Sequence, residues 1–291
     1  MPNATPASQK PTNTIRVASL NLLNNSRNIE TRVEELIKEL TIINPDILCL
    51  QEVIQTETFP IIQTLANALG YTTTFHTAET PEKHTGIHYG NAILSKTKET
   101  HFDTLGQEEL HILNPVPILT SSFEIHGHNV HIVNAHLAWG SRNSGTRTRQ
   151  AEKIAQYALQ VREADPQAVV IMTGDLNAVE ESGTIRFLKG LEETHQGENT
   201  LWVDAWAEHG TPENAITSDP TIPLGLQTAG LFGITDASHT PHRRIDYIFS
   251  YEWCYGKTGF PLTYGRFADK PETQISDHFG IYSDILLLPK P

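Results

Sequence analysis

Only two cysteines occur in the 291 residues, too few for a disulfide framework. Cys49 lies in the apolar run Asp46-Ile47-Leu48-Cys49-Leu50 and reads as a buried thiol; Cys254 lies in an aromatic-rich stretch. Free thiols are expected rather than a Cys49–Cys254 bridge, which suits a reducing compartment. Apolar runs of membrane-spanning length are also missing, since Ile47–Leu50 and Val169–Met172 are strand-sized. Residues Met1–Asn13 are polar and rich in Pro, Thr and Asn, without the hydrophobic stretch of a signal peptide. A cytoplasmic address is therefore favoured, with secretion left open if a signal peptide has been removed. Positive charge is scarce: 21 Lys and Arg stand against 34 Asp and Glu, for a net charge of −13. That balance excludes general coating of a nucleic-acid backbone, where neutralised phosphates supply the affinity. It does not exclude an enzyme that grips one phosphate locally. No zinc-type cluster of Cys and His at short spacing is present.

What is there is one globular pattern from Thr14 onward, with no linker and no repeat. Residues 1–13 are expected to be a disordered lead-in and 14–291 a single domain, monomeric. Ile15–Leu20 reads as a strand. Ile29, Val33, Leu36, Ile37, Leu40 and Ile43 recur at helical spacing, and Pro45 ends that helix. A helix near Pro60–Leu69 stops at Gly70. Ala92–Leu94, Ile118–Ile125 and Val130–Asn134 read as strands, followed by an amphipathic helix from about Arg147 to Arg162. Val169–Met172, Ile245–Phe249 and Ile281–Leu288 complete the strands, while Glu192–His242 reads as irregular and too long for a simple connection. Hairpin-linked and helix-linked strands together imply helices packed outside β-sheets in a layered α/β domain.

The informative feature is where the polar residues fall. Apolar strands empty into Asn21, Glu52, His136, Asp175 with Asn177, Asp246, and Asp277 with His278. Strand ends project from a rigid scaffold, so such groups can converge in one cleft. Their oxygen ligands suit Mg²⁺ or Mn²⁺. Each residue alone has a plainer reading: Glu52 as a solvated strand end, Asp175 as an Asx turn, Asp277-His278 as a cap. Asp246, between Ile245 and Tyr247, needs a partner if buried. It is the ordered set that speaks.

Seven segments resemble, in order, the motifs of the endonuclease/exonuclease/phosphatase superfamily, whose members include deoxyribonuclease I, exonuclease III and neutral sphingomyelinases. They are Ala18-Ser19-Leu20-Asn21, Pro45–Glu52, Tyr89–Ser95, Asn134-Ala135-His136-Leu137, Gly174-Asp175-Leu176-Asn177, Arg244–Ile248 and Ser276-Asp277-His278. The resemblance implies a four-layer α/β sandwich, two mixed β-sheets packed face to face with helices on the outer faces. It implies that Asn21, Glu52 and Asp277 hold Mg²⁺, for which Mn²⁺ could substitute. It implies that Asp175 and Asn177 orient and deprotonate the attacking water, that Asp246 pairs with His278, and that His136 is a second donor or the leaving-group acid. His136 replaces the Tyr of the apurinic endonucleases. Asn91 and Arg147 are candidate substrate contacts, though a turn and a solvated helix face explain them as well. His242-Arg243-Arg244 could place positive charge at the cleft rim. Trp253–Phe267 could read substrate, or simply pack against the last strand.

The expected function is Mg²⁺-dependent hydrolysis of a phosphoester, foremost a phosphodiester of a nucleic acid or a small molecule. The alternatives are a phosphatase or phospholipase-type enzyme acting on inositol phosphates or sphingomyelin headgroups, and a non-catalytic phosphoester-binding relative.

Overall fold

A computed structural model describes residues 10–55, 60–76, 88–105, 118–193, 199–231, 233–252, 255–270 and 274–290. Cys254 and the first nine residues of the N-terminal segment lie outside them. The chain opens with β1 (Thr14–Asn21), α1 (Ile29–Ile43), β2 (Ile47–Gln55), α2 (Ile61–Leu69), β3 (Thr73–His76) and β4 (His88–Ser95). Next come β5 (Glu99–Leu105), β6 (Ile118–Ile125), β7 (His128–His136), α3 (Ser144–Ala164) and β8 (Val169–Asp175). The last third holds α4 (Gly183–Leu188), β9 (Trp202–Asp204), α5 (Ala205–His209) and α6 (Pro223–Leu231). It closes with β10 (Asp246–Tyr251), β11 (Gly265–Phe267) and β12 (Gly280–Leu286).

Two six-stranded sheets result, ordered β11-β12-β1-β2-β4-β3 and β5-β6-β7-β8-β10-β9. Each contains one parallel pair, β1 with β2 and β7 with β8. A parallel pair needs a crossover, and α1 and α3 provide it. Leu36 and Leu40 of α1 and Leu65 of α2 pack on Leu48, Leu50 and Leu94 of the first sheet. Ile154 and Ala158 of α3 pack on Val133, Val170 and Met172 of the second. Between the sheets, Ile15, Val17, Ile47, Cys49, Ile132, Ile171 and Ile248 form a third core. The architecture is the expected four-layer sandwich. Cys49 is a free thiol in that middle core, and burial pushes its pKa up, which leaves it inert.

Helical periodicity located α1, α2 and α3 well because each carries a continuous apolar stripe. Asn44 and Gly70 end α1 and α2 in left-handed conformation, at φ 52° and 72°. Glu192–His242 departs from the irregular reading: it contains β9, α5 and α6, elements too short to show a period. In the Trp253–Phe267 stretch, Phe267 is buried beneath the first sheet and Tyr264 packs against the middle core, so this part packs rather than reads. No helix among the described residues is long and apolar enough to cross a membrane.

One fold feature makes stability depend on pH. His131 on β7 is partly buried, with Nδ1 3.0 Å from the Tyr157 hydroxyl, and burial lowers its pKa from 6.5. A lowered histidine pKa favours the fold above the unfolded value, and that advantage is lost as pH falls below it. Between about pH 7.5 and about pH 5.5 the wild type should lose more stability than His131→Asn. Urea unfolding at both pH values checks this; equal losses would show that His131 does not titrate on unfolding.

Candidate active site

The carboxyl ends of both parallel pairs meet at one edge of the sandwich. In the second sheet Asp175 is paired with His136 on one side and with Asp246 on the other. Cross-strand partners share a face, so these three side chains stand in a row. Alternation aims them inward, because Ile132, Ile171 and Ile248 of the same strands lie in the middle core. Val17 likewise sets Asn21 inward from the first sheet. Glu52 is different. Leu48 and Leu50 face the helices, and regular alternation would send Glu52 with them. The pairing with β4 slips between Leu50 and Val53, and Glu52 adopts φ 55°. This bulge re-aims the carboxylate toward the site.

Asp175 is the hub. The Asn21 amide Nδ2 donates to Asp175 Oδ2 at 3.1 Å and to Glu52 Oε1 at 3.2 Å. The Asn177 backbone N–H donates to Asp175 Oδ1 at 2.8 Å. His136 Nε2 stands 3.7 Å from Asp175 Oδ2 and 3.8 Å from Glu52 Oε1. His278 Nε2 stands 3.9 Å from the same Asp175 oxygen. These imidazole distances are too long for direct hydrogen bonds, and a water or phosphate oxygen could bridge them. The end of β8 requires Gly174: at φ 136° a Cβ would sit 1.9 Å from the Ala135 carbonyl oxygen.

His278 Nδ1 and Asp246 Oδ2 are 2.9 Å apart and both residues are buried. Burial pushes the Asp246 carboxyl up, against the pull of His278. Burial disfavours charge on His278, but Asp246 and Asp175 outweigh it and raise its pKa well above the ordinary value. The contact suits an Nδ1 proton donated to Asp246, which leaves Nε2 facing Asp175. Asp175, Asp246 and His278 offer ligand atoms all within 4.8 Å of one another.

Asp277 faces the Glu52 side. Thr228 Oγ1, from α6, donates to Asp277 Oδ2 at 2.9 Å. Burial raises the Asp277 pKa, and Glu52 adds to the rise while His278 opposes it. Arg32, buried beneath, gives its donors to the carbonyls of Ile275, Asn25 and Leu22. Its pKa falls to about 10 through burial, although Asp277 and Glu52 both support its charge.

One support has no local signature. Thr217 Oγ1 accepts the N–H groups of Ile245 and Asp246 at 3.0 and 3.1 Å, and its carbonyl accepts that of Phe279 at 2.7 Å. One residue thus joins the Asp246 strand to the His278 segment. Gln51 Nε2 donates to Asn134 Oδ1 at 2.7 Å, and Asn134 Nδ2 to the Leu50 and Ala92 carbonyls, tying the sheets together just below the site.

The substrate candidates are placed differently. Asn91 is fully buried on β4. Arg147 is buried too, and its Nη1 donates to the Ala138 and Gly140 carbonyls at 2.8 Å each, bracing the loop after His136. Arg244 is not at the rim. It is buried between Asp204 and Glu180 at 2.7 and 2.8 Å, and it lies over the Trp206 and Tyr247 rings. Its neighbour Arg243 is exposed. The buried carboxylate of Asp204, invisible to local reading, is what draws Arg244 inward.

Several solved structures share this architecture. Truncated TDP2 of Caenorhabditis elegans is 18% identical, with a TM-score of 0.65, 94% of this chain and 97% of that chain covered. TDP2 of D. rerio complexed with single strand DNA product is 18% identical, with a TM-score of 0.70 and coverage of 94% and 98%. An endonuclease/exonuclease/phosphatase family protein from Leptotrichia buccalis is 17% identical, with a TM-score of 0.64 and coverage of 93% and 99%. At such identities the likeness speaks to the fold. No curated protein matches the chain by sequence. The Endonuclease/Exonuclease/phosphatase family profile spans residues 18–278, from the strand that ends in Asn21 to the histidine paired with Asp246, and the chain belongs to that family.

Proposed function

We propose that the chain hydrolyses phosphodiesters with the help of a divalent cation, Mg²⁺ or in its place Mn²⁺, and that its substrates are nucleic acids or small nucleotide-like diesters. The observation that carries this reading is the crowding of Asn21 Nδ2, His136 Nε2 and His278 Nε2 around one oxygen of Asp175.

The donors fit such a cation. Glu52 and Asp277 are neighbouring carboxylates whose mutual repulsion helps raise the Asp277 pKa, and Asn21 adds an amide between Glu52 and Asp175. Oxygen donors of this kind suit Mg²⁺. The ion's contribution would be Lewis-acid neutralisation of charge on the phosphoryl oxygens.

The remaining work falls to the chain's own side chains. Asp175 is oriented by the Asn177 N–H and by Asn21, which leaves its Oδ2 facing the two imidazoles; there it would align a water and take its proton. His278, kept cationic by Asp246, would donate from Nε2 to a phosphoryl oxygen as negative charge grows. His136 Nδ1 is buried with no partner among the described residues, so its proton is better placed on Nε2, toward Glu52 and Asp175. From there it would donate to the phosphate or the departing oxygen.

For the substrate, the support is twofold. A structure similar to this one is TDP2 complexed with single strand DNA product. The net charge of −13 and the burial of Arg147 and Arg244 favour short or single-stranded substrates over long duplexes. A panel should decide: bis-p-nitrophenyl phosphate, single-stranded oligonucleotide, plasmid, sphingomyelin and inositol phosphates, each with Mg²⁺ and with EDTA. Turnover of the first two that EDTA abolishes is the expected result. Turnover confined to sphingomyelin or inositol phosphates would replace the substrate class. Inactivity throughout, with EDTA-insensitive binding of a phosphoester, would instead make the chain a non-catalytic relative.

A further inference from the structure

The strands that carry His136, Asp175 and Asp246 also build something at their other ends. β7 begins at His128, β8 begins at Val169 and β10 finishes at Tyr251, at the edge of the sandwich opposite the active site. A cavity of about 540 Å³ lies there, within the size range of small-molecule sites. Val169, Val170, Tyr251 and Leu288 give it an apolar wall, and Arg162, Lys257 and Lys290 line it with positive charge.

Three of its lining residues carry buried polar atoms with no partner among the described residues: His128 Nδ1, Arg162 Nε and the Ser250 hydroxyl. His128 and Ser250 are only 3% and 1% exposed. His128 Nε2 lies 2.6 Å from the Leu288 carbonyl oxygen and must donate to it, which fixes the ring and reserves Nδ1. Arg162 is fixed in the same way, with Nη1 on the Ala168 carbonyl at 2.8 Å and Nη2 on Glu252 at 2.7 Å. Buried polar groups are normally satisfied, so three exceptions among the lining residues make the wall of this cavity unusually polar. Glu252 is the one carboxylate in the lining and is already paired with Arg162. The lysines are exposed at the cavity and have no carboxylate partner among the described residues. The local charge is thus positive in a strongly acidic chain.

We propose that this cavity is a second, non-catalytic site for a small phosphate-bearing molecule with an apolar or aromatic body. The part-exposed guanidinium of Arg162 would donate to the phosphate, the two lysines would balance its charge, and the apolar wall would take the body. The assignment does not depend on the proposed catalysis.

Phenyl phosphate is a suitable probe, titrated calorimetrically into the full chain in EDTA. Binding is expected, weakened by about tenfold or more in the surface double variant Lys257→Glu/Lys290→Glu. It should be unchanged in Asp175→Asn, which separates this cavity from the active site. Absence of heat up to about 10 mM, or equal affinity in the double variant, would overturn the site. Equal binding of benzoate would overturn phosphate as the recognised group, and equal binding of inorganic phosphate would remove the apolar body.

Discussion

Asp175→Asn is expected to lower kcat on bis-p-nitrophenyl phosphate by about a thousandfold, the middle of the range for loss of a general base. The substitution keeps the shape, but an amide cannot take a proton from water. The fold should survive, since the remaining side-chain oxygen still accepts the Asn177 N–H and only the contact with Asn21 Nδ2 is given up. Thermal unfolding should therefore occur near the wild-type temperature: the lost hydrogen bond is offset by removing one charge from a buried site that holds Asp246 as well. Steady-state kinetics and a melting curve on the same preparation check both halves. A variant that keeps more than about a tenth of wild-type kcat would take proton transfer away from Asp175. A large fall in melting temperature would instead give Asp175 a mainly structural role.

The largest stability effect is expected far from the site. Arg16 on β1 and Asp284 on β12 sit opposite each other and are almost wholly buried. Arg16 Nε and Nη2 donate to the two carboxylate oxygens at 2.8 Å each, a bidentate pair, and Nη1 reaches the Ile43 carbonyl. The carboxylate also accepts from Thr263 Oγ1 at 2.9 Å. Removing one member leaves the other charged and buried, so Arg16→Met should cost about 3–5 kcal/mol. The double variant Arg16→Met/Asp284→Leu should recover most of that loss, because two apolar side chains leave no stranded charge. Urea unfolding of the two single variants and the double variant tests this. Additive losses would mean that the residues act independently.

Neither effect conflicts with the other. Asp175 and its neighbours are placed by strand ends, whereas Arg16–Asp284 holds β12 against β1 and so supports the segment that carries Asp277 and His278. Ser276 Oγ, which donates to the Asn21 carbonyl at 2.6 Å, completes that connection.

The polar residue types at strand ends and the apolar periods of α1 and α3 were legible in the sequence. These are local properties: a period of two or of 3.6 is written in consecutive residues. The resemblance added the four-layer arrangement, and the two sheets bear it out. The tertiary structure alone decided the rest. Glu52 reaches the cleft only because a bulge opposite β4 breaks the alternation that would have turned it toward α1 and α2. Arg244 is drawn from an expected cleft rim into a buried pair with Asp204, 40 positions away. Thr217 and Thr228 support the site from segments without a periodic pattern, Arg32 does so from within the stripe of α1, and Arg16 meets a partner 268 positions along the chain. Such choices depend on which distant groups need a partner once water is excluded, and that demand exists only after the sheets have closed.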